Sequence, residues 1–126
     1  MKQRIEKYLP KAIEFISEVE IANSDGVVDS RFNGYFSAFG AAIIQSGMKP
    51  ALAFYANDKT TKDRSNILKA VYKLIVPEAE QDNPVEAKSL LKYYIDNETN
   101  PMLKHKILDA TVALKLAVRT YELKKQ

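Results

Sequence analysis

The residue types that most often perform chemistry are scarce in this sequence and poorly placed for it. The 126 residues include no cysteine, so there is neither a thiolate ligand nor a cysteine nucleophile. The one histidine, His105, stands between Lys104 and Lys106, and a basic neighbourhood repels a metal cation. No second ligand accompanies it at the spacing of an HExxH pattern. We therefore expect a surface histidine on the last helix and no metal site.

The carboxylates and glycines also fail to form a recognisable site. Asp25 and Asp29 bracket Gly26, but the alternating oxygen ligands and terminal glutamate of a calcium loop are absent. Glu78 and Glu80 fall in a polar segment, which does not favour acid–base catalysis at neutral pH. The four glycines form no GxGxxG or GxxxxGK pattern. The sequence predicts no catalytic, cofactor-binding or metal residues, and therefore a protein that is not an enzyme.

Basic side chains are the remaining candidates for a functional surface. Lys62, Asn66, Lys69 and Lys73 are spaced four, three and four residues apart, which predicts one polar stripe on a helix. Such a stripe can neutralise phosphates in a salt-sensitive way, with little sequence specificity. Most phenylalanine and tyrosine residues recur at helical spacing with the aliphatic residues, which indicates core packing rather than base stacking.

Charge alternates in blocks along the chain, although the net charge is only +3. Residues 48–76 and residues 102–126 each hold six basic and two acidic side chains, whereas residues 77–101 hold six acidic and two basic ones. Blocks of this kind favour one basic and one acidic face. The basic face would suit a polyanion, and the acidic face a basic protein or a second copy of the chain.

Helical periodicity positions these groups. Apolar residues at positions 5, 9, 12, 16 and 19 lie on one helical face, and Pro10 predicts a kink or a restart in that first helix. A second helix would be capped by Asp29 or Ser30 and ended by Gly47. Pro50 fits the first turn of a third helix, because its missing N–H has no intrahelical partner there.

The second half of the chain continues the helical pattern. We expect a fourth helix from about Lys62 to Val76, a fifth with Pro84 in its first turn, and a long last helix that includes Tyr121. No segment shows sustained two-residue alternation between hairpin turns, so no sheet is expected. The prediction is an all-α, single-domain bundle of five to six helices that covers residues 1–126.

Composition and hydropathy place the protein in the cytoplasm. Hydrophobic residues make up 46% of the chain and charged residues 28%, which is typical of a globular domain. No stretch approaches the roughly eighteen uninterrupted apolar residues of a membrane span. The segment Met1 to Lys7 lacks the apolar core of a secretory signal. We expect a cytoplasmic protein without membrane contact.

The central run from Tyr35 to Tyr55 resembles the small α-helical subunit of type III-B (Cmr) CRISPR RNA-guided effector complexes. In that family a helix ends in glycine plus an apolar residue, here Gly47-Met48. A helix with a Leu-Ala-Phe stretch follows, here Leu52-Ala53-Phe54, and then a lysine-containing loop, here Asn57-Asp58-Lys59. The last helix, with Thr111 to Arg119, is similar to the family's small, apolar and finally basic pattern.

The resemblance implies a non-catalytic subunit of a ribonucleoprotein complex in antiviral defence. Such subunits stack into a filament and line the channel that holds guide and target RNA, while other subunits perform the chemistry. The implied partners are the other Cmr subunits, copies of the chain itself, and guide and target RNA. A head-to-tail contact between copies would propagate as a filament. The residues expected to face RNA are Arg31, Lys49, Lys59, Lys62, Arg64, Lys69, Lys73 and Arg119.

Two alternatives remain open on the sequence alone. In the first, the protein is a helical adaptor or regulator whose charged blocks recognise protein partners, and nucleic acid has no part. In the second, it is an enzyme with an unrecognised carboxylate site, which would require a deep pocket with two buried acids.

Overall fold

The computed structural model describes residues 2–57 and 62–125 as a helical bundle with one very small sheet. Thirteen residues separate the first helix from the second and the fourth from the fifth, and a 3-10 turn, Glu78–Glu80, lies in the latter segment. The elements are α1 (Lys2–Glu18), β1 (Val27–Asp29), α2 (Phe32–Ser46), α3 (Met48–Tyr55), α4 (Lys62–Ile75), α5 (Ser89–Asp96), α6 (Leu103–Val118) and β2 (Glu122–Lys124). The predicted all-α class with five to six helices is confirmed.

Helix α6 lies at the centre of the bundle and packs against α1, α2 and α4. Ile107, Ala110, Leu114 and Ala117 are completely buried on it, at the three- and four-residue spacing of one helical stripe. Helix α1 contributes Ala12 and Ile16 to the same core, and α2 contributes a row of buried aromatic and aliphatic side chains. These contacts fix the polar faces of α1 and α4 beside each other.

The local signals for helix ends in the first half of the chain are largely correct. Gly47 has a φ of +93°, a backbone region that favours glycine, and its N–H donates to the carbonyl of Ile43. Pro50 lies in the first turn of α3, as predicted. Helix α1 continues through Pro10, so the chain does not restart there.

The expectation that the protein has no sheet is wrong. Strands β1 and β2 pair in parallel, with Val28 opposite Leu123, and the N–H of Ser30 donates to the carbonyl of Lys124. Each strand has three residues, which is too short to show a two-residue alternation. The pairing also joins parts of the chain that are far apart in sequence, so no local sequence pattern predicts it.

Two predicted helix boundaries are also wrong. Helix α6 ends at Val118, and Tyr121 lies beyond it, where its hydroxyl donates to the carbonyl of Ile13 on α1. That tertiary bond and the start of β2 draw the chain away from the helical path. Helix α5 begins only at Ser89, because Ser89 Oγ accepts the N–H of Glu86 in the preceding turn. Pro84 therefore lies in the loop before α5 and not in its first turn.

Candidate nucleic-acid interface

Helix α4 carries the predicted stripe into a groove, which we call the α1–α4 groove. Its volume is about 540 Å³. The end of α1 forms one side, α4 another, and the segment after α4 a third. The residues used below to define it are Glu18 and Glu20, then Lys62, Asn66, Lys69 and Lys73, and finally Glu78, Gln81 and Asp82.

Two of the groove lysines are engaged by carboxylates at the end of α1. Lys62 Nζ lies 3.3 Å from Glu20 Oε2, and both side chains are exposed. Lys73 Nζ lies 3.2 Å from Glu18 Oε1, and it also stands 5.1 Å from the centre of the Phe15 ring. An ion pair between exposed side chains is worth little, typically about 0–1 kcal/mol. The Lys73 pair is better shielded, since only 22% of that lysine side chain is exposed.

The expectation of one basic and one acidic face is not met in this groove. Three lysines line the groove together with four carboxylates. Two of the carboxylates, Glu78 and Asp82, belong to the acidic block of residues 77–101, which here lies beside α4. The formal charge of the ionisable groups that line the groove is therefore slightly negative. A polyanion would meet repulsion here as well as attraction.

The prediction of Asn66 as part of an open polar stripe is wrong. Asn66 is only 3% exposed, because the segment 81–85 and the end of α1 cover this part of α4. Among the hydrogen bonds of the described residues, none involves the Asn66 carboxamide. The Asn66 carboxamide atoms are not among the fully enclosed unpaired atoms of the described residues, so they keep some accessible surface at the groove, where a ligand could supply the missing hydrogen bonds.

Arg31 belongs to a different region, and Asp29 on β1 positions it. The guanidinium binds this carboxylate through two nitrogens, with Nη2 at 2.6 Å and Nε at 3.0 Å from Oδ2. The hydrogen bond from Arg31 lowers the pKa of Asp29, and the same contact raises the pKa of Arg31. Asp29 also accepts the N–H of Arg31, so neither Asp29 nor Ser30 caps α2 as predicted.

Arg119 and Arg64 extend this second region, which we call the arginine end (Arg31, Arg64 and Arg119). Arg119 Nε lies 3.4 Å from the side-chain oxygen of Asn33, in the first turn of α2. Helices α2 and α4 contact each other, and the charge of Asp63, in the first turn of α4, contributes to the raised pKa of Arg31. Arg64, the next residue, lies 5.3 Å from the ring centre of Phe54.

Lys49 makes an ion pair of its own, on α3. Lys49 Nζ lies 2.7 Å from Glu98 Oε2, and the hydrogen bond to this carboxylate raises the pKa of Lys49. Lys59 falls outside the described residues. Phe54 departs from the expected core role of the aromatic residues, since 59% of it is exposed, whereas Phe36 and Phe39 are buried as expected.

The described residues offer little that could hold a metal ion. No group of three or more histidine, aspartate or glutamate side chains within residues 2–57 and 62–125 is arranged to bind one. His105 is exposed on α6, as predicted. Among the described residues Asp109 is the one buried carboxylate, and its Oδ2 lies 3.2 Å from Arg4 Nε without making a hydrogen bond. No helix in the described part of the chain is long and apolar enough to cross a membrane.

Comparison with known families identifies the chain. A family model described as CRISPR-associated protein (Cas_Cmr5) matches residues 4–120. The chain belongs to this family. It is accordingly a small CRISPR-associated subunit of the Cmr, type III-B, kind, and membership implies other Cmr subunits as partners. No curated protein and no solved structure matches the chain.

The sequence analysis did not predict that four carboxylates line the α1–α4 groove, or that Asn66 has little exposed surface and no hydrogen-bond partner among the described residues. It identified the acidic block of residues 77–101, but it could not predict that this block lies beside α4. An uncharged polar residue in an otherwise basic stripe, followed directly by Ile67 and Leu68, was the one available signal that Asn66 would be enclosed.

Proposed function

We propose that this Cmr subunit is a non-catalytic building block of the effector complex, which stacks with copies of itself and helps to hold guide and target RNA in antiviral defence in the cytoplasm. The observation that carries the RNA part is the arginine end. There Arg119, at the end of α6, lies beside the start of α2, where Arg31 stands, and Arg64 belongs to α4, which contacts α2.

The chemistry of the arginine end suits phosphate groups. Asp29 occupies Nε and one hydrogen of Nη2 on Arg31, and the other N–H groups of this guanidinium remain available. The Arg31 side chain is 56% exposed despite the ion pair. A guanidinium that is held in one orientation loses less entropy on binding a phosphate oxygen than a freely rotating one. Backbone contacts of this kind bind RNA without reading its sequence, as holding a variable guide requires.

The stacking part rests on the outer face of α2. Gly34, Ala38 and Ala41 are exposed at helical spacing, and Ile44 on the same side is 73% exposed. Small side chains allow close approach of another chain, and an exposed isoleucine would be buried by it. A contact between this face and a different surface of the next copy would propagate as a filament.

Crosslinking in the assembled complex tests the RNA role. We would reconstitute the Cmr complex with target RNA that contains 4-thiouridine, irradiate it, and map the crosslinked peptides of this subunit. Crosslinks should fall at residues 31–35, 62–64 and 119. Crosslinks confined to other subunits would contradict the proposal and would favour the adaptor that binds protein only.

The stacking and the non-catalytic role have separate tests. Ala38→Arg together with Ile44→Arg should reduce the number of copies of this subunit per complex, counted by native mass spectrometry. The isolated protein should leave labelled RNA intact in the presence of Mg²⁺ or Mn²⁺. Unchanged copy number in the first experiment, or cleavage that persists through purification in the second, would refute the corresponding part.

A further inference from the structure

We infer that the α1–α4 groove binds an extended segment of a partner protein in which acidic and basic side chains alternate. This goes beyond the RNA-holding role and does not depend on it. The groove holds several of the side chains predicted to face RNA, yet the charges and the buried amide described above fit a peptide better than a polyanion.

The two ion pairs leave the groove with unpaired charges of opposite sign on two different elements. Lys62 and Lys73 are matched by Glu20 and Glu18. Lys69 on α4, and Glu78 and Asp82 on the segment after it, make no ion pair with any described residue. Helix α4 therefore presents an unpaired cation to the groove, and the segment after it presents two unpaired anions.

An extended peptide matches this division, because its successive side chains point in opposite directions. A segment of alternating acidic and basic residues would turn its acids toward Lys69 and its basic side chains toward Glu78 and Asp82. A nucleic-acid backbone carries one sign of charge only, so the carboxylates would repel it. Charge complementarity of this type selects among partners more strongly than it adds affinity.

Asn66 supplies the second, independent observation. Asn66 is only 3% exposed and lines the groove, and its carboxamide makes no hydrogen bond to a described residue while keeping some accessible surface. It offers one acceptor and two donor hydrogens. A peptide backbone presents the matching N–H and C=O at every residue, so the carboxamide can bind both groups of one residue without reading the side chain.

The length of the groove also suits an extended chain. From Lys62 to Lys73 it follows α4 for roughly 17 Å, at about 1.5 Å per residue. A second depression of about 470 Å³ shares Glu18, Lys73, Glu78 and Gln81 with it and continues along α1 to Lys7. The first part alone accommodates about five extended residues at about 3.3 Å each, and the second accommodates a similar number.

The test uses the full-length protein and a defined probe. A twelve-residue peptide of alternating glutamate and lysine would be titrated into the isotope-labelled protein and followed by NMR. We expect saturable binding with a Kd below about 1 mM, and shifts of the Asn66 side-chain amide and the Lys69 backbone. A block peptide, with six glutamates followed by six lysines, should bind at least about fivefold more weakly, because only alternation matches both sides.

Two variants and a control complete the experiment. Asn66→Ala should weaken binding about five- to tenfold and Lys69→Met about threefold, whereas Gln45→Ala, an exposed amide on α2, should leave it unchanged. Lys69→Met keeps most of the length of the side chain and removes its charge. It therefore still tests the proposal if Asn66→Ala alters folding. The inference is overturned if the alternating peptide does not bind, if the block peptide binds equally well, or if a twelve-nucleotide uridine RNA binds the groove in an Asn66-dependent way.

Discussion

The arginine end and the α1–α4 groove both consist of cations on helix surfaces, yet they differ in what surrounds those cations. At the arginine end, Asp29 holds one edge of the Arg31 guanidinium and leaves the other edge at the surface. In the groove, Glu18 and Glu20 engage two of the three lysines, and two further carboxylates line the same groove. We therefore expect that the number of lysines on a helix face does not by itself set its affinity for RNA. On the proposed role, the position of the nearest carboxylates would decide whether a phosphate can approach.

The largest effect should follow from reversing the charges of the arginine end. Arg31→Glu combined with Arg119→Glu should weaken target-RNA binding by the reconstituted complex by about 10- to 100-fold at ~0.1 M salt. Each lost phosphate contact should also reduce the slope of log K against the logarithm of the salt concentration by about one. Filter binding at several salt concentrations measures both quantities. Lys104→Glu with Lys106→Glu, the same charge change on the exposed start of α6, is the control and should change affinity less than about threefold.

Reversing the three groove lysines should affect RNA binding less than it affects stability. Lys62→Glu, Lys69→Glu and Lys73→Glu together break two ion pairs and gather seven carboxylates in one groove. We expect a Tm lower by about 5–10 °C, which corresponds to roughly 1–2 kcal/mol for a domain of this size. RNA affinity should fall by no more than about threefold. A loss of RNA binding as large as that of the arginine-end variant would restore the groove as the phosphate surface.

A conservative change at Arg31 sharpens the comparison further. Arg31→Lys keeps the charge but loses the paired hydrogen bonds to Asp29, since an ammonium group cannot bind a carboxylate edge with two fixed nitrogens. RNA affinity should fall by about two- to fivefold at ~0.1 M salt, because orientation is lost while attraction remains. Equal affinity of Arg31→Lys and the unmodified protein would show that charge alone matters there.

The smallest effect concerns the pH dependence of stability. The hydrogen bond from Arg31 lowers the pKa of Asp29 in the folded protein. Its contribution is therefore fully present above the unfolded pKa, about 3.9, and is lost as the pH falls through the lower folded value. Urea unfolding of the protein and of Asp29→Asn should show a stability difference at pH 6 that shrinks below about pH 4. A difference that is constant over this range would mean that the ionised pair does not contribute.

Local signals in the sequence predicted much of the scaffold but only part of the candidate site. Gly47 and Pro50 marked the boundary between α2 and α3, because a positive φ and a missing N–H are properties of single residues. The end of α6 was misplaced, since Tyr121 leaves the helix for a hydrogen bond to Ile13 on α1. The three groove lysines were correctly placed on one face of α4, yet the burial of Asn66 depends on a segment that follows α4 and could not be read from helical spacing.

The sequence by itself determined the helical class, the apolar face of each main helix and the resemblance to the small Cmr subunit, which the family match confirms. These follow from periodicity and from residues close together in the chain. Only the tertiary structure decided which charges meet. It placed Glu20 against Lys62, Glu18 against Lys73, and Asp82 in the same groove as Lys69. Electrostatic interaction depends on distance in space, and folding sets that distance independently of separation along the chain.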